Sequence, residues 1–192
     1  MADTIPKNIS DEELLELLHS KQTLEQAFAF LVDRYSPQLY NVVLRIVFNH
    51  DDTDDVLQNV FVKVWKNISR FRGDSKLSTW MYSIATNEAL SFLRKERRNQ
   101  KVPLSTEEYD LASTLESDPY FDGDELMRDF MAAIDKLPEK QKVTFEMRYF
   151  EELPYGEISE ITGTSVGALK ANYHHAVKKL EKYLGIVDDP DD

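Results

Sequence analysis

The 192-residue chain contains no cysteine, which excludes disulfides, thiol chemistry and cysteine-ligated zinc. No apolar run approaches the roughly 20 residues a membrane span requires, so membrane insertion is not expected. The amino terminus is acidic and amphipathic instead of basic and apolar, which points away from a secretion signal and toward a cytoplasmic setting. Only six glycines are present, and none belongs to a phosphate-binding loop. With no Ser/His/Asp order and no paired catalytic carboxylates either, the chain does not read as an enzyme. Net positive charge is missing as well: the formal charge is -12 at pH 7. Taken alone, that argues against a nucleic-acid partner.

The position of the charge changes this reading. Residues 1–100 hold 13 Lys and Arg against 14 acids, and residues 125–187 hold 9 against 10. The excess lies between and after them. Residues 101–124 carry seven acids against one lysine, together with Pro103, Pro119 and Gly123, which reads as a linker. The tail at 188–192 adds four more aspartates. Each half is therefore near neutral and can still carry a local basic face.

Apolar periodicity is helical throughout, with no convincing strand alternation. Ser10 followed by Glu13 forms a capping box for a short helix through Leu18. Residues 24–49 read as helical with a break or restart at Ser36-Pro37. Further helices are predicted near 53–69, 77–98, 125–136, 139–151, 155–162 and 166–184. The acidic run Asp51-Asp52-Thr53-Asp54-Asp55 lacks the glycine and terminal glutamate of a calcium loop and is better explained by helix capping.

In the 54–68 helix, Val56, Leu57, Val60, Phe61, Val64, Trp65 and Ile68 span about 180°, against the roughly 100° stripe a surface helix needs for its own core. The overhanging edge sets Phe61 and Trp65 beside Asp54 and Gln58, a mixed aromatic and polar strip suited to an interface. Next comes the segment 71–87, a polar Gly-containing loop running into a helix with Trp80 and Tyr82 and ending in Arg94-Lys95-Glu96-Arg97-Arg98. Aromatic faces stack bases at roughly 1 to 3 kcal/mol each, and the basic end supplies counter-charge, so the combination suits single-stranded nucleic acid. Aromatics at helical spacing can equally pack inward as core.

The carboxy-terminal half has the proportions of a helix-turn-helix: residues 155–162, the turn Gly163-Thr164-Ser165, and 166–184. Gly163 can take the left-handed conformation and Ser165 can cap the second helix. Val166, Leu169, Tyr173, Ala176, Val177, Leu180 and Leu184 form an inward stripe, opposite Gly167, Ala171, His174, His175, Lys178 and Lys182. Small or planar groups at the helix start suit close approach to base edges, and Lys178, Lys179 and Lys182 are placed for phosphates. His174-His175 is not read as a metal site, because adjacent side chains point about 100° apart on a helix and no third ligand is near in sequence. No metal or other cofactor is expected.

Three blocks in order carry a resemblance. Asp54 to Trp65, the 71–87 segment, and Leu137-Pro138-Glu139-Lys140-Gln141-Lys142 with residues 155–180 resemble regions 2.2, 2.3–2.4 and 4 of bacterial RNA polymerase sigma factors of the extracytoplasmic-function (ECF) group. The resemblance implies an all-α protein of two small helical domains: a region 2 bundle in 1–100 and a region 4 helix-turn-helix in 125–187, joined by the acidic linker. It implies core RNA polymerase as a partner at Asp54, Asp55, Gln58, Phe61 and Trp65. It also implies promoter DNA as a partner. The minus-ten strand would meet Phe71, Arg72, Gly73, Asp74, Ser75, Lys76, Trp80, Asn87, Arg94, Arg97 and Arg98, with the loop 72–76 cradling a flipped base. The minus-thirty-five duplex would meet Ser165, Gly167, Lys170, Ala171, His174, His175, Lys178 and Lys179. An anti-sigma factor is a further implied partner, and the linker would thread toward the RNA exit path.

The sequence departs from the family at two places. The histidine pair stands where an Arg-rich version is common, which implies weaker phosphate contacts that respond to pH. Pro154 and Gly156 soften the start of the first helix of the motif. Two other functions remain open on sequence grounds: a helix-turn-helix regulator that never touches polymerase, and an interaction module whose acidic segments mimic nucleic acid. The first leaves the wide apolar strip and the 71–98 block without a job.

Overall fold

The computed structural model describes residues 5–6, 8–99 and 125–186, apart from the side chains of 97–99 and 125. The linker and the acidic tail lie outside the described residues. All regular structure among the described residues is helical, and the chain divides into two compact units at residues 101 and 102.

The first unit begins with α1 (Asp11–His19), where Ser10 Oγ accepts from the Glu13 amide at 3.2 Å and Glu13 accepts from the Ser10 amide at 2.9 Å. This is the capping box expected from the sequence. α1 buries Leu14 and Leu18 and is tied to α2 (Leu24–Val47) by Asp11, which accepts from Tyr35 Oη at 2.7 Å and from Arg34 at 3.2 Å. The Tyr35 phenol is pushed well up by burial and by its Asp11 partner, so it stays a donor.

The expected break at Ser36-Pro37 does not occur, since α2 runs unbroken through Pro37. Proline removes the bond to the Asp33 carbonyl, but Asp33 and Pro37 are both exposed, so that carbonyl faces water. Buried Leu31, Tyr35, Leu39 and Val42 on either side hold the helix against its neighbours.

α3 (His50–Asn67) starts three residues before the expected position. Asn49, whose side chain accepts from the Asp52 amide at 2.9 Å, is the cap, and the acids occupy the first turn. Val56, Val60 and Val64 face inward and are almost fully buried. A 3-10 turn (Ile68–Arg70) follows, then a short loop and α4 (Leu77–Asn99). α2, α3 and α4 pack mutually around Leu39, Val43, Val60, Met81, Ala85 and Ala89, with α1 against α2 and the 3-10 turn.

The second unit holds α5 (Glu125–Asp135), α6 (Glu139–Tyr149), α7 (Tyr155–Thr162) and α8 (Val166–Tyr183). Its core joins Ile134, Leu137, Phe145, Ala176 and Leu180, flanked by Phe130, Phe150 and Tyr173. α6 ends at Tyr149, two residues before the expected end, and the loop after it holds Glu152 at φ 52°. Arg148 fixes this loop by donating to the carbonyls of Glu152 at 3.3 Å and Leu153 at 3.1 Å. The same guanidinium lies 5.4 Å from the Tyr155 ring, so it also seats the start of α7.

Candidate functional site

Three surfaces collect the residues singled out by sequence. The first lies on α3, where Asp54, Gln58, Phe61 and Trp65 repeat at spacings of four, three and four and share one face. Asp54, Asp55 and Gln58 are exposed and Phe61 is half-buried. Trp65 is 41% exposed, and Val62 beside it is 49% exposed. The overhanging edge is not wholly uncovered: Phe28 of α2 meets Trp65 edge to face with ring centroids 4.8 Å apart. That contact holds the indole on one side while much of it stays exposed. Val62 was missed by the helical wheel, which assigned it no face.

The second surface is an open cleft of about 490 Å³ beside the 71–76 loop. Phe71 and Trp80 form one wall, stacked with centroids 4.8 Å apart and 25° between planes. Arg72, Asp74 and Ser75 come from the loop, which Gly73 turns at φ 77°. A side chain at that φ is strained, and an added Cβ would lie 3.5 Å from Leu15 of α1.

The opposite wall comes from residues the sequence reading did not name: Lys63, Asn67 and Arg70 at the end of α3 and in the 3-10 turn, with Ile84 below. Among the described residues Arg70 and Arg72 make no ion pair, and Lys63 pairs with Glu88 of α4. Three cations against one lining carboxylate give the cleft a positive character that the total charge of the chain hides.

From the cleft, Trp80, Ile84, Asn87, Ser91 and Arg94 follow one another along a single face of α4, the last three exposed. Lys76 is exposed at the start of this helix. The α4 backbone continues through Arg97 and Arg98, whose side chains lie outside the described residues. Tyr82 is 8% exposed, hence core and not a stacking platform; burial pushes its phenol up, against the opposing effect of Arg45. In the first turn of α3 the Asp52 carboxyl is pushed up, first by burial and then by Glu96, Asp55 and Asp51.

The third surface is α8. Gly163 closes α7 at φ 66° with its amide on Ser159 O at 2.9 Å, and Ser165 Oγ accepts from the Ala168 amide at 3.4 Å. The turn chemistry is that read from sequence. Ser165, Gly167, Lys170, Ala171, His174, His175 and Lys178 are all exposed, whereas Lys179 is half-buried at the flank. The two histidine rings lie 5.9 Å apart. No neighbour lies within 4 Å of a Cβ added at Gly167, so internal packing does not require glycine there. Val166 departs from the expected inward stripe: it is the first residue of α8 and is 39% exposed. Leu169, Ala176 and Leu180 carry the buried face. Among the described residues no group of three or more His, Asp or Glu side chains could hold a metal ion, and no helix is long and apolar enough to cross a membrane.

Comparison with known proteins finds matches over both units. The sequence family described as Sigma-70 region 2 matches residues 31–99, and Sigma-70, region 4 matches residues 127–180. The ECF RNA polymerase sigma factor SigW of Bacillus subtilis is 31% identical over 168 residues, covering 83% of this chain and 90% of its own length. The ECF RNA polymerase sigma-E factor of Haemophilus influenzae is 31% identical over 186 residues, covering 93% and 97%. Among solved structures, the sigma factor RpoE of Bartonella quintana, crystallised with the anti-sigma factor NepR, superposes with a TM-score of 0.67 at 22% identity, covering 84% of this chain and 98% of its own. CnrH, solved with the cytosolic domain of CnrY, gives 0.68 at 21% identity, covering 93% and 99%. These two share the fold.

Proposed function

Since the chain belongs to the ECF RNA polymerase sigma factors of the sigma-70 family, we propose that its three surfaces divide the work of initiation among themselves. The protein is a non-enzymatic initiation factor that binds core RNA polymerase and directs it to promoters. A regulator that never touches polymerase would not carry a region 2 match over residues 31–99.

In this reading the α3 stripe of Asp54, Asp55, Gln58, Phe61 and Trp65, extended by Val62, is the polymerase-docking face. The cleft and the α4 face beyond it take the melted minus-ten strand. Phe71 and Trp80 offer the stacking surface, Arg72 and Lys76 with Arg70 and Lys63 neutralise phosphates, and Asp74, Ser75, Asn67 and Asn87 supply polar edges. Arg94, Arg97 and Arg98 continue the track. The exposed face of α8 reads the minus-thirty-five duplex, with Ser165, Gly167, Lys170, Ala171, His174 and His175 toward bases, and Lys178 and Lys179 toward phosphates. Residues 1–100 and 125–187 are thus the two readers, with 101–124 their connector. An anti-sigma factor that covers the docking face is part of the same proposal, in keeping with the complexes in which similar folds were solved. The cytoplasm, where core polymerase works, is the setting.

The observation that carries the reading is the cleft itself: stacked aromatics and a local surplus of cations meet there in a chain of charge -12. The test is DNA binding with and without core. Core tethers both readers on one duplex, so promoter DNA should be held in a salt-dependent way by the complex and hardly at all by the free chain. Equal binding without core would overturn the assignment.

A further inference from the structure

α1 carries no role in the division of labour above, yet it meets the 3-10 turn that leads into the base-capture loop and, at a second point, the loop itself. His19, the last residue of α1, places Nε2 3.2 Å from the carbonyl oxygen of Ile68. That oxygen can only accept, so Nε2 carries the hydrogen. The same carbonyl closes the 3-10 turn by accepting from the Phe71 amide at 3.1 Å. Its two lone pairs are thus shared between α1 and the residue that forms the aromatic wall of the cleft.

The second point is Leu15, whose Cδ2 would lie 3.5 Å from a Cβ at Gly73, directly behind the tightest turn of the loop. A small recess of about 100 Å³ between α1 and the loop, lined in part by Asp11, Leu15, Phe71 and Gly73, marks the seam. α1 is itself fixed from the other side. Asp11 accepts from Tyr35 and Arg34, and Arg34 also donates to the Ile9 carbonyl at 2.6 Å. A continuous path of contacts therefore runs from the core of α2 through α1 to Phe71.

We propose that His19 and Leu15 are positioning residues for minus-ten strand capture: α1 holds the 68–76 segment in the shape that keeps Phe71 against Trp80. The proposal rests on the cleft being the strand-capture site. His19 touches neither the cleft nor the α3 docking stripe, so removing it disturbs loop geometry without deleting a DNA or polymerase contact. Its hydrogen bond holds the 3-10 turn from which the loop departs. Losing it loosens the loop without unfolding the bundle, whose core lies in α2, α3 and α4.

The test uses core polymerase reconstituted with the full chain. A random pool of single-stranded oligonucleotides is offered to the complex, and the enriched sequence becomes the probe for wild type, His19→Ala, His19→Gln and Leu15→Ala. His19→Ala should weaken strand affinity about five-fold, the worth of one hydrogen bond, with core affinity unchanged. His19→Gln, which keeps an N–H at the same reach, should recover most of it, and Leu15→Ala should weaken the strand and spare core. Unchanged strand affinity in His19→Ala, or an equal loss of core and strand affinity, overturns the proposal. A wild-type complex that enriches no strand, or a Trp80→Ala complex that binds the probe normally, overturns the base-capture reading itself.

Discussion

Phe71 and Trp80 lie stacked on each other, 4.8 Å apart and 25° from parallel. One comes from the loop and the other from the first turns of α4, so their contact closes the loop onto the helix. A base cannot enter between them without parting the rings, and the geometry favours stacking on the outer face of the pair. Trp80→Ala should then remove a preformed platform. The expected loss of affinity for the minus-ten strand in the polymerase complex is about 1 to 3 kcal/mol, with Trp80→Phe retaining part of it. Oligonucleotide titration measures this directly, and a variant that binds the strand as wild type does would show the pair to be structural only.

Trp65 is held differently. Its edge-to-face contact with Phe28 leaves 41% of the residue exposed. Trp65→Ala should cost the fold the aromatic pair, about 0.5 to 1.5 kcal/mol beyond the apolar area the ring covers, and still leave a cooperative melt, while costing core binding more than about 2 kcal/mol as the loss of an interface anchor. Co-elution with core on size exclusion, beside a melting curve of the free variant, separates the two. Retained stoichiometric co-elution, or a lost melting transition, would sink the assignment of this face.

Much of the architecture was legible because it depends on local chemistry. Ser10 with Glu13, Gly163 and Ser165 each satisfy backbone groups within a few residues, so their roles follow from spacing. What escaped depends on other elements. A break or restart at Ser36-Pro37 is what local chemistry predicts, because neither the solvent beside Asp33 nor the packing that buries Leu31, Tyr35, Leu39 and Val42 is visible along the sequence. The rest of the cleft lining escapes for the same reason: Lys63, Asn67 and Arg70 precede the loop and meet Trp80 only once α3 and α4 pack. A wheel drawn for one helix also had no means of finding Phe28 against Trp65.

The bond from Tyr35 to Asp11 anchors α1, and the buried, strongly raised phenol remains protonated and donating across the neutral range. Tyr35→Phe keeps the ring in its place and deletes only the hydroxyl. A hydrogen bond to a charged acceptor is worth about 1.5 to 3 kcal/mol, so the unfolding midpoint in urea should fall by that equivalent with no change in slope. A midpoint within error of wild type would mean that Arg34 alone suffices to hold Asp11.

Asp52 makes a pH-dependent prediction. Its carboxyl is raised by burial and by the Glu96, Asp55 and Asp51 charges, so the folded chain holds this proton more tightly than the unfolded chain. By linkage its contribution to stability falls as pH rises through the carboxylate range. Glu96→Gln removes one of the repelling charges and should raise the thermal midpoint at neutral pH, by no more than the equivalent of about 1 kcal/mol, since water still screens this half-buried pair. The gain should shrink as pH drops and Asp52 takes up its proton. A gain that persists in acid would point to a cause other than charge.

On α8 the exposed residues predict two separable effects. Lys178 lies on the same face as Gly167, Ala171 and His174 but a full turn further from the helix start, where a side chain reaches the backbone of the duplex and not its base edges. Lys178→Ala should weaken binding of the polymerase complex to all minus-thirty-five sequences alike and reduce the salt slope by about 1. His174→Ala should leave the slope nearly unchanged while lowering discrimination between sites by about 1 to 3 kcal/mol per base read. Gly167 supplies the control, since a Cβ there meets no neighbour within 4 Å inside the protein. Gly167→Ala should therefore fold normally yet weaken minus-thirty-five binding, because the added methyl meets no neighbour within the protein but stands where the duplex would approach. Normal binding by that variant would place the DNA elsewhere on α8.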